Sequence, residues 1–311
     1  MTNHRIIIGD CRLMHRVCDA SIELVVTAPP MWNSVEDADA GGTYENYVNT
    51  LNLTWSACMR VLREGCRLCV CAGDHFIRQN EYGRFKAVSP RTEIVRFCEA
   101  IGFDFMGSIV CQRFTPQRTS AGTFIAGSYP YPRNGIIKLD CAHILVFRKP
   151  GEAPPITKEM KDASRMTRKE WTTFFNGHWY LRESHHTSLT QMPAAIPDRL
   201  IRMFSFAGET VLDPFGTDGT TATVAAQLGR QSVSYRPTRA GVSEVENRVL
   251  EFNLLDSPLM VSVQTERREL RNGLSEALAK LPYIYRDPVI KTTPPHKSKS
   301  DNDNSNDTTE S

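Results

Sequence analysis

The chain has 311 residues, of which 41% are hydrophobic and 23% are charged, which is enough for one large core or two small ones. Its formal net charge at pH 7 is only +2, which excludes a global basic field, so nucleic-acid binding would depend on local basic stretches. The sequence has no run of 18 apolar residues and no signal-peptide pattern at Met1–Arg5, so we expect a soluble, cytoplasmic protein.

Short apolar strands alternate along the chain with helical patterns, which is typical of a doubly wound α/β sheet. From Tyr44 to Leu62 apolar side chains recur at spacings of three and four, which predicts a helix, and Gly65 is expected to end it. The predicted strands are Arg5–Ile8, Leu24–Thr27, Cys66–Ala72, Phe105–Cys111, Cys141–Phe147, Thr210–Leu212 and Ser232–Tyr235. The other predicted helices are Thr92–Ile101, Pro197–Phe206, Thr220–Leu228 and Val242–Leu254.

The nine cysteines are scattered, and only Cys66, Cys69 and Cys71 lie close together. A zinc site would need a second pair of cysteines or histidines at suitable spacing, and none is evident. We therefore interpret this segment as a buried strand with reduced thiols, and we expect no metal.

Two stretches interrupt the alternation, and a third ends it. Residues 113–138 are rich in Gly, Pro, Tyr, Thr and Arg, and residues 154–186 mix basic with aromatic side chains. After about residue 291 the composition becomes polar with no apolar anchor. We expect a domain over 1–258 that carries the two stretches as insertions, a C-terminal extension over 259–290, and a disordered tail over 291–311.

The first motif is Thr27-Ala28-Pro29-Pro30-Met31-Trp32, which follows an apolar run. It resembles the Thr-Ser-Pro-Pro-Tyr-Trp signature of DNA amino-methyltransferases, which methylate the exocyclic amine of cytosine (N4) or adenine (N6). In that family the base is flipped out and stacked on the aromatic residue, while the first motif residue and the first proline carbonyl bind the amine. The resemblance makes Ala28, Pro29, Pro30 and Met31 the catalytic positions, although Ala28 has no acceptor and Met31 has no flat ring. A rigid turn is the alternative interpretation of the two prolines.

The second motif runs from Asp213 to Thr221 and resembles the family's methyl-donor loop, Asp-Pro-Phe-x-Gly-Ser-Gly-Thr-Thr. Thr217 replaces a family glycine, which would crowd the cofactor. Arg236 stands where the family has an acid that accepts the ribose hydroxyls. By resemblance the S-adenosylmethionine-binding positions are Asp213, Pro214, Phe215, Thr217, Gly219 and Arg236.

The order of the two motifs resembles that of the β-type amino-methyltransferases, with the target-recognition region between them. The resemblance implies a Rossmann-like S-adenosylmethionine-dependent methyltransferase fold. Its sheet would have seven mostly parallel strands, with one antiparallel strand, and both pockets would lie at the carboxyl ends of the strands.

By the same resemblance the two insertions bind DNA, with basic groups on phosphates and Arg or Asn on base edges. The candidate residues are Arg113, Arg118, Tyr129, Tyr131, Arg133, Lys158, Arg165, Arg168 and Lys169. The alternatives are a rigid loop for the Tyr-Pro repeat and the solvated face of an amphipathic helix for Lys158–Lys169. Tyr44, Tyr47 and Trp55 are expected in the core or at a subunit interface rather than as a base platform. Asp74 is a pocket residue or a helix cap.

Three functions remain open. The altered motifs favour a catalytically silent subunit that binds DNA, binds no cofactor itself, and pairs with an active methyltransferase carrying S-adenosylmethionine. The alternative is an active N4-cytosine, or N6-adenine, methyltransferase of a restriction-modification system, with N4 favoured by Trp32. The third is a stand-alone DNA-binding regulator.

Overall fold

The structure is a computed structural model, and it describes residues 2–32, 43–77, 83, 85–114, 129–182, 192–216, 218–251, 258–266 and 276–287. The expected tail over 291–311 lies outside the described residues. Two predicted site residues, Arg118 and Thr217, also lie outside them.

The described chain contains eleven strands and seven named helices. The strands are β1 (Thr2–Ile8), β2 (Ile22–Thr27), β3 (Leu62–Gly73), β4 (His75–Ile77), β5 (Lys86–Val88), β6 (Asp104–Phe114), β7 (Cys141–Arg148), β8 (His178–Arg182), β9 (Thr210–Asp213), β10 (Gln231–Arg236) and β11 (Leu259–Thr265). The helices are α1 (Tyr44–Val61), α2 (Pro90–Ala100), α3 (Lys158–Ala163), α4 (Arg168–Phe174), α5 (Ala195–Phe204), α6 (Thr220–Gln227) and α7 (Val242–Glu251).

Nine of these strands form one sheet in the order β11-β1-β10-β9-β2-β3-β7-β6-β8, and β4 pairs with β5 separately. Every pairing in the large sheet is parallel except those of β7, which is antiparallel to both β3 and β6. This confirms the predicted doubly wound, mostly parallel sheet with one antiparallel strand. The sheet has two more strands than the seven expected, because β8 and β11 add one at each edge.

The end of α1 differs from the prediction. The helix stops at Val61, where the Leu62 N–H bonds to the Cys58 carbonyl, and Leu62 already pairs with Ile22 of β2. Gly65 therefore lies inside β3, with φ of +71°, where a Cβ would come within 2.5 Å of a backbone nitrogen of the neighbouring loop. Sheet pairing overrides the helical pattern here, and the glycine serves a close backbone approach instead of a helix end.

Apolar side chains cover both faces of the sheet. One face packs on α1 and α2, with Tyr44, Tyr47 and Trp55 buried in that layer, which confirms their assignment to the core. The other face packs on α5 and α6. Among the described helices, none has the length and apolarity to cross a membrane.

The parallel strands bring their carboxyl ends to a single edge of the sheet, here called the carboxyl edge. The ends of β1, β10, β9 and β2 are neighbours there. β2 leads into the two prolines, β9 leads into the second motif (Asp213 to Thr221, here called the glycine loop), and β10 ends at Arg236. Both motifs therefore meet at the carboxyl edge. Ligands of open parallel sheets bind at such an edge.

Candidate functional site

A buried carboxylate joins the two motifs. The Asp213 carboxylate at the end of β9 accepts hydrogen bonds from the Thr27 hydroxyl at 2.6 Å and the Thr221 hydroxyl at 2.7 Å. It also accepts one from the Phe215 backbone N–H at 3.1 Å, across the buried Pro214. Burial raises the pKa of Asp213 to about 6, against the lowering effect of these hydrogen bonds. The carboxylate thus ties together the ends of β2 and β9 and the start of α6.

The two prolines are held from α1. The Tyr47 hydroxyl donates to the Pro30 carbonyl at 2.8 Å. The carbonyl that the resemblance assigns to a base amine is the other one, that of Pro29. Ala28 is half-buried beside it and contributes only a methyl group. Met31 is 36% exposed at the position of the family aromatic residue. The segment can offer one carbonyl to an amine, but it has neither the side-chain acceptor nor the flat stacking surface.

The glycine loop has a positive φ at Gly219, and one of its backbone N–H groups is already hydrogen-bonded within the loop. Gly219 has φ of +72°, and a Cβ there would lie 2.5 Å from the Val245 Cγ1 atom, so only glycine fits. The Asp218 carboxylate accepts the Thr220 N–H at 3.0 Å. One of the first N–H groups of α6, which otherwise suit an anionic ligand, is therefore already bonded to a carboxylate.

Arg236 occupies the end of β10 and is only 7% exposed. Its guanidinium donates to the Gly241 carbonyl at 3.0 Å and to the Ala240 carbonyl. Its Nε has no hydrogen-bond partner among the described residues. Burial lowers the pKa of Arg236, while the charges of Glu244 and Asp218 act in the opposite direction. At the position where the family has a carboxylate, this chain thus has an arginine whose guanidinium bonds to the loop that follows β10.

These groups do not fit the family's cofactor, S-adenosylmethionine. A ribose diol needs an acceptor at the end of β10, and the Arg236 guanidinium can only donate. Its Nε, which is buried and has no hydrogen-bond partner among the described residues, is a further donor and not an acceptor. We therefore assign no step of a reaction to that group in this chain.

Two acids on neighbouring strands were missed by the sequence analysis. Asp10, just after β1, accepts the Arg12 backbone N–H at 2.9 Å and forms an ion pair with its guanidinium. Glu266, just after β11, accepts the His15 backbone N–H at 2.8 Å and packs against Gly9, where a Cβ would lie 2.7 Å from the Glu266 Cβ. Asp10 was marked only by its position two residues after the predicted strand Arg5–Ile8, and because β11 was not predicted, no strand marked Glu266.

β6 ends and β7 begins at the carboxyl edge, because β6 runs parallel to β3 and β2 and β7 runs antiparallel to them. In the described part of the connection between them, from residue 129 onward, Tyr129 is 74% exposed, and Tyr131 and Arg133 are also exposed. Ile137 is 80% exposed. This part of the connection enters β7 at the carboxyl edge, and it carries three of the predicted DNA-binding residues as exposed side chains.

Arg113 also lies near that edge, although only its backbone is described. It is the second-last residue of β6 and pairs in register with Leu181 of β8. Its role in DNA binding stays a prediction.

The second predicted basic group lies elsewhere. Lys158, Arg165, Arg168 and Lys169 are exposed on or between α3 and α4. The Ser164 hydroxyl after α3 accepts the Ala207 N–H at 2.7 Å, just before the amino end of β9. These cations therefore lie toward the amino edge, with an exposed stack of Trp171 on Phe175 whose ring centroids are 4.4 Å apart. The structure does not bring them to the prolines.

Asp74 and the cysteines of β3, the remaining candidates, have the contacts and burial of structural residues. The Asp74 carboxylate after β3 pairs with the Arg91 guanidinium at 3.1 Å rather than capping a helix through a backbone N–H. Cys69 is buried and Cys66 partly so, and burial raises the pKa of both thiols to about 12, which is typical of inert cysteines. Within the described ranges, no three histidine, cysteine or acidic residues are grouped to hold a metal ion.

Comparison with known proteins agrees with this architecture. Residues 22–239 match the N6/N4 family model described as DNA methylase. The type II methyltransferase M.MjaI of Methanocaldococcus jannaschii is 30% identical over 80% of this chain and 91% of its own length. M.MthZI of Methanothermobacter thermautotrophicus, another type II methyltransferase, is 26% identical over 84% of this chain and 80% of its own.

Two solved structures are similar. TTHA0409 of Thermus thermophilus, assigned as a DNA modification methylase and solved with S-adenosyl-L-methionine, has a TM-score of 0.68 at 29% identity. The match covers 83% of this chain and 99% of that one. The PvuII cytosine-N4-specific DNA methyltransferase has a TM-score of 0.59 over 91% of this chain and 93% of that one, and its 15% identity supports the fold alone.

Proposed function

The chain belongs to the N6/N4 DNA methylase family, and from that membership we propose that it is a DNA-binding subunit of a restriction-modification system that does not itself transfer the methyl group. In this role it contributes recognition of double-stranded DNA and stabilises an active methyltransferase chain, which holds the S-adenosylmethionine. The site of action is the cytoplasm.

The observation that carries the proposal is the buried Arg236 at the end of β10, held by the carbonyls of Ala240 and Gly241. Loss of the ribose acceptor would weaken cofactor binding by about 1–3 kcal/mol, or roughly 5- to 160-fold. Ala28 adds a second deficit, because the amine loses an acceptor that would localise its lone pair in the transition state.

The test is calorimetric titration of S-adenosylmethionine into the purified full chain, with Arg236→Glu beside it. We expect no micromolar binding by the natural chain and a gain of affinity by the variant, since a carboxylate restores the acceptor. Arg239→Glu is the matched control, because Arg239 is exposed three residues further along and the same charge change there should alter nothing. Micromolar binding by the natural chain would overturn the proposal.

An active DNA amino-methyltransferase is the second candidate, and the Asp213 network favours it. The hydrogen bonds from Thr27 and Thr221 still join the two motifs, and the Pro29 carbonyl remains beside the fixed Pro30. In this candidate one carbonyl orients the amine without help from Ala28.

Transfer of a labelled methyl group to DNA distinguishes the two candidates. An active enzyme labels DNA without a second protein, and Pro29→Ala, which keeps the carbonyl but frees the backbone that positions it, lowers the labelling. A silent subunit would label DNA only together with its partner. A pull-down from the native host, followed by mass spectrometry, should then identify an intact methyltransferase as that partner. Recovery of the chain alone or as a homodimer would instead support a stand-alone regulator.

A further inference from the structure

A C-terminal segment, residues 276–287 and here called the strap, lies against α1 although more than 200 residues separate them in sequence. The Asn49 side chain of α1 makes two hydrogen bonds with one strap residue. Its Oδ1 accepts the Tyr285 N–H at 2.9 Å, and its Nδ2 donates to the Tyr285 carbonyl at 3.2 Å. One amide side chain thus satisfies both backbone groups of a strap residue, as a strand partner would.

Further contacts fix the strap on each side of Tyr285. The Tyr283 hydroxyl donates to the Glu93 carboxylate of α2 at 2.7 Å, and the Tyr283 ring packs edge-on against Phe97. The Asp287 N–H donates to the Glu45 carboxylate in the first turn of α1 at 2.6 Å. The strap therefore bridges α2 and the start of α1.

The same end of α1 also contacts the proline motif. The Tyr44 ring is edge-on both to Tyr285 of the strap, at 6.0 Å between centroids, and to Trp32, at 5.7 Å. One turn later, the Tyr47 hydroxyl donates to the Pro30 carbonyl. Tyr44 is thus in contact with the strap and with the end of the motif at once.

Two consecutive prolines have no backbone N–H, so their segment can be anchored only through carbonyls and neighbouring side chains. Tyr47 supplies the carbonyl anchor, and Tyr44 supplies the aromatic contact at Trp32. A displacement of the first turn of α1 would therefore disturb the contacts at Pro30 and Trp32.

We propose that the strap positions the proline motif, with Asn49 and Tyr285 as positioning residues that act through Tyr44. The strap runs beside an open cleft of about 370 Å³, lined in part by Asn46, Leu278 and Ile284, and its side chains Leu281, Tyr283 and Tyr285 pack against the core. The proposal concerns the position of Pro30 and Trp32, so it holds whether or not this chain transfers methyl groups.

The test uses the full chain labelled with 5-fluorotryptophan, whose four fluorine resonances are assigned by single Trp→Phe variants. Asn49→Ala should shift the Trp32 resonance and accelerate amide exchange at Met31 and Trp32 roughly tenfold. The resonances of Trp171 and Trp179, on the other side of the sheet, should not move, whereas a general loss of structure would move all four. Asn49→Asp keeps the acceptor for the Tyr285 N–H and should restore part of the natural signal.

Tyr285→Leu is the second variant, since it removes the aromatic edge but keeps apolar packing, and it should also shift the Trp32 resonance. Lys280→Gln is the matched control, because it changes an exposed side chain of the strap that takes no part in the contacts described above, and it should leave Trp32 unchanged. The decisive contrary outcome is rapid exchange of strap amides 283–287 in Asn49→Ala while the Trp32 resonance and the exchange at residues 31–32 stay natural.

Discussion

Asp213 and Arg236 end neighbouring strands, since Ser234 of β10 pairs with Asp213 of β9, and both side chains are buried. The carboxylate of Asp213 is bonded to Thr27, Thr221 and Phe215, which all belong to the scaffold. In the family resemblance, the position of Arg236 serves the cofactor instead. A residue that holds the strand ends together is needed with or without a ligand, whereas a residue whose role is to contact a ligand can be replaced without loss of the fold.

The largest loss of stability is expected at Gly219, in the glycine loop. Gly219→Ala places a Cβ 2.5 Å from Val245 at φ of +72°, so steric overlap and backbone strain should together cost about 2–4 kcal/mol of unfolding free energy. Urea denaturation measures this loss. Gly135→Ala is the control, because a Cβ there meets no atom within 4 Å and the change should stay within about 0.5 kcal/mol. Equal stabilities of the two variants would contradict the tight packing of the loop.

The next effect is a pH dependence that belongs to Asp213. Burial raises its pKa in the folded state from 3.8 to about 6, so between these values the folded state binds a proton that the unfolded state releases. Stability from this group is therefore lost as pH rises from about 4 to 6, by about 1–3 kcal/mol. The difference in unfolding free energy between the natural chain and Asp213→Asn should shrink by that amount over this range. A difference that stays constant with pH would show that the carboxylate is not buried as described.

The strands that could be predicted were those with continuous apolar runs. β2, β3 and β7 are buried by helices on both faces, so their sequences carry a strong signal. β11, over Leu259–Thr265, is half-exposed along nearly its whole length, and β8 is a short edge strand. Edge strands bury less apolar surface, which is why the sequence pattern missed both and why nine strands were found where seven were expected.

Prediction of the candidate site from the sequence was limited in a similar way. The motif positions Ala28 and Arg236 could be found because a family pattern marks them. The bond between Thr27 and Asp213 joins residues 186 positions apart and follows only from strand order. The exposed run from Lys158 to Lys169 looked continuous in sequence, but it forms two short helices, each capped by its own threonine, toward the amino edge.

A smaller effect is expected at Arg236. Arg236→Ala removes two hydrogen bonds to the carbonyls of Ala240 and Gly241, which lie on an exposed loop and can bond to water instead. The unfolding free energy should fall by about 1 kcal/mol or less, well below the loss at Gly219. Amide exchange at residues 239–242 should accelerate at the same time. A loss as large as that of Gly219→Ala would mean that Arg236 belongs to the scaffold and would remove the distinction between the two strand ends.

The smallest effect on stability, and the one that separates the two edges of the sheet, is expected for exposed cations. Arg133→Gln at the carboxyl edge should leave unfolding unchanged within about 0.5 kcal/mol, because the side chain is exposed. It should lower the dependence of duplex-DNA affinity on salt by about one unit of log–log slope, as expected for one lost phosphate contact. Lys169→Gln is the matched control at the amino edge and should leave that slope unchanged. Because both substitutions remove one exposed charge, a reversed result, with Lys169 changing the slope and Arg133 not, would place the DNA on α3 and α4 and away from the proline motif.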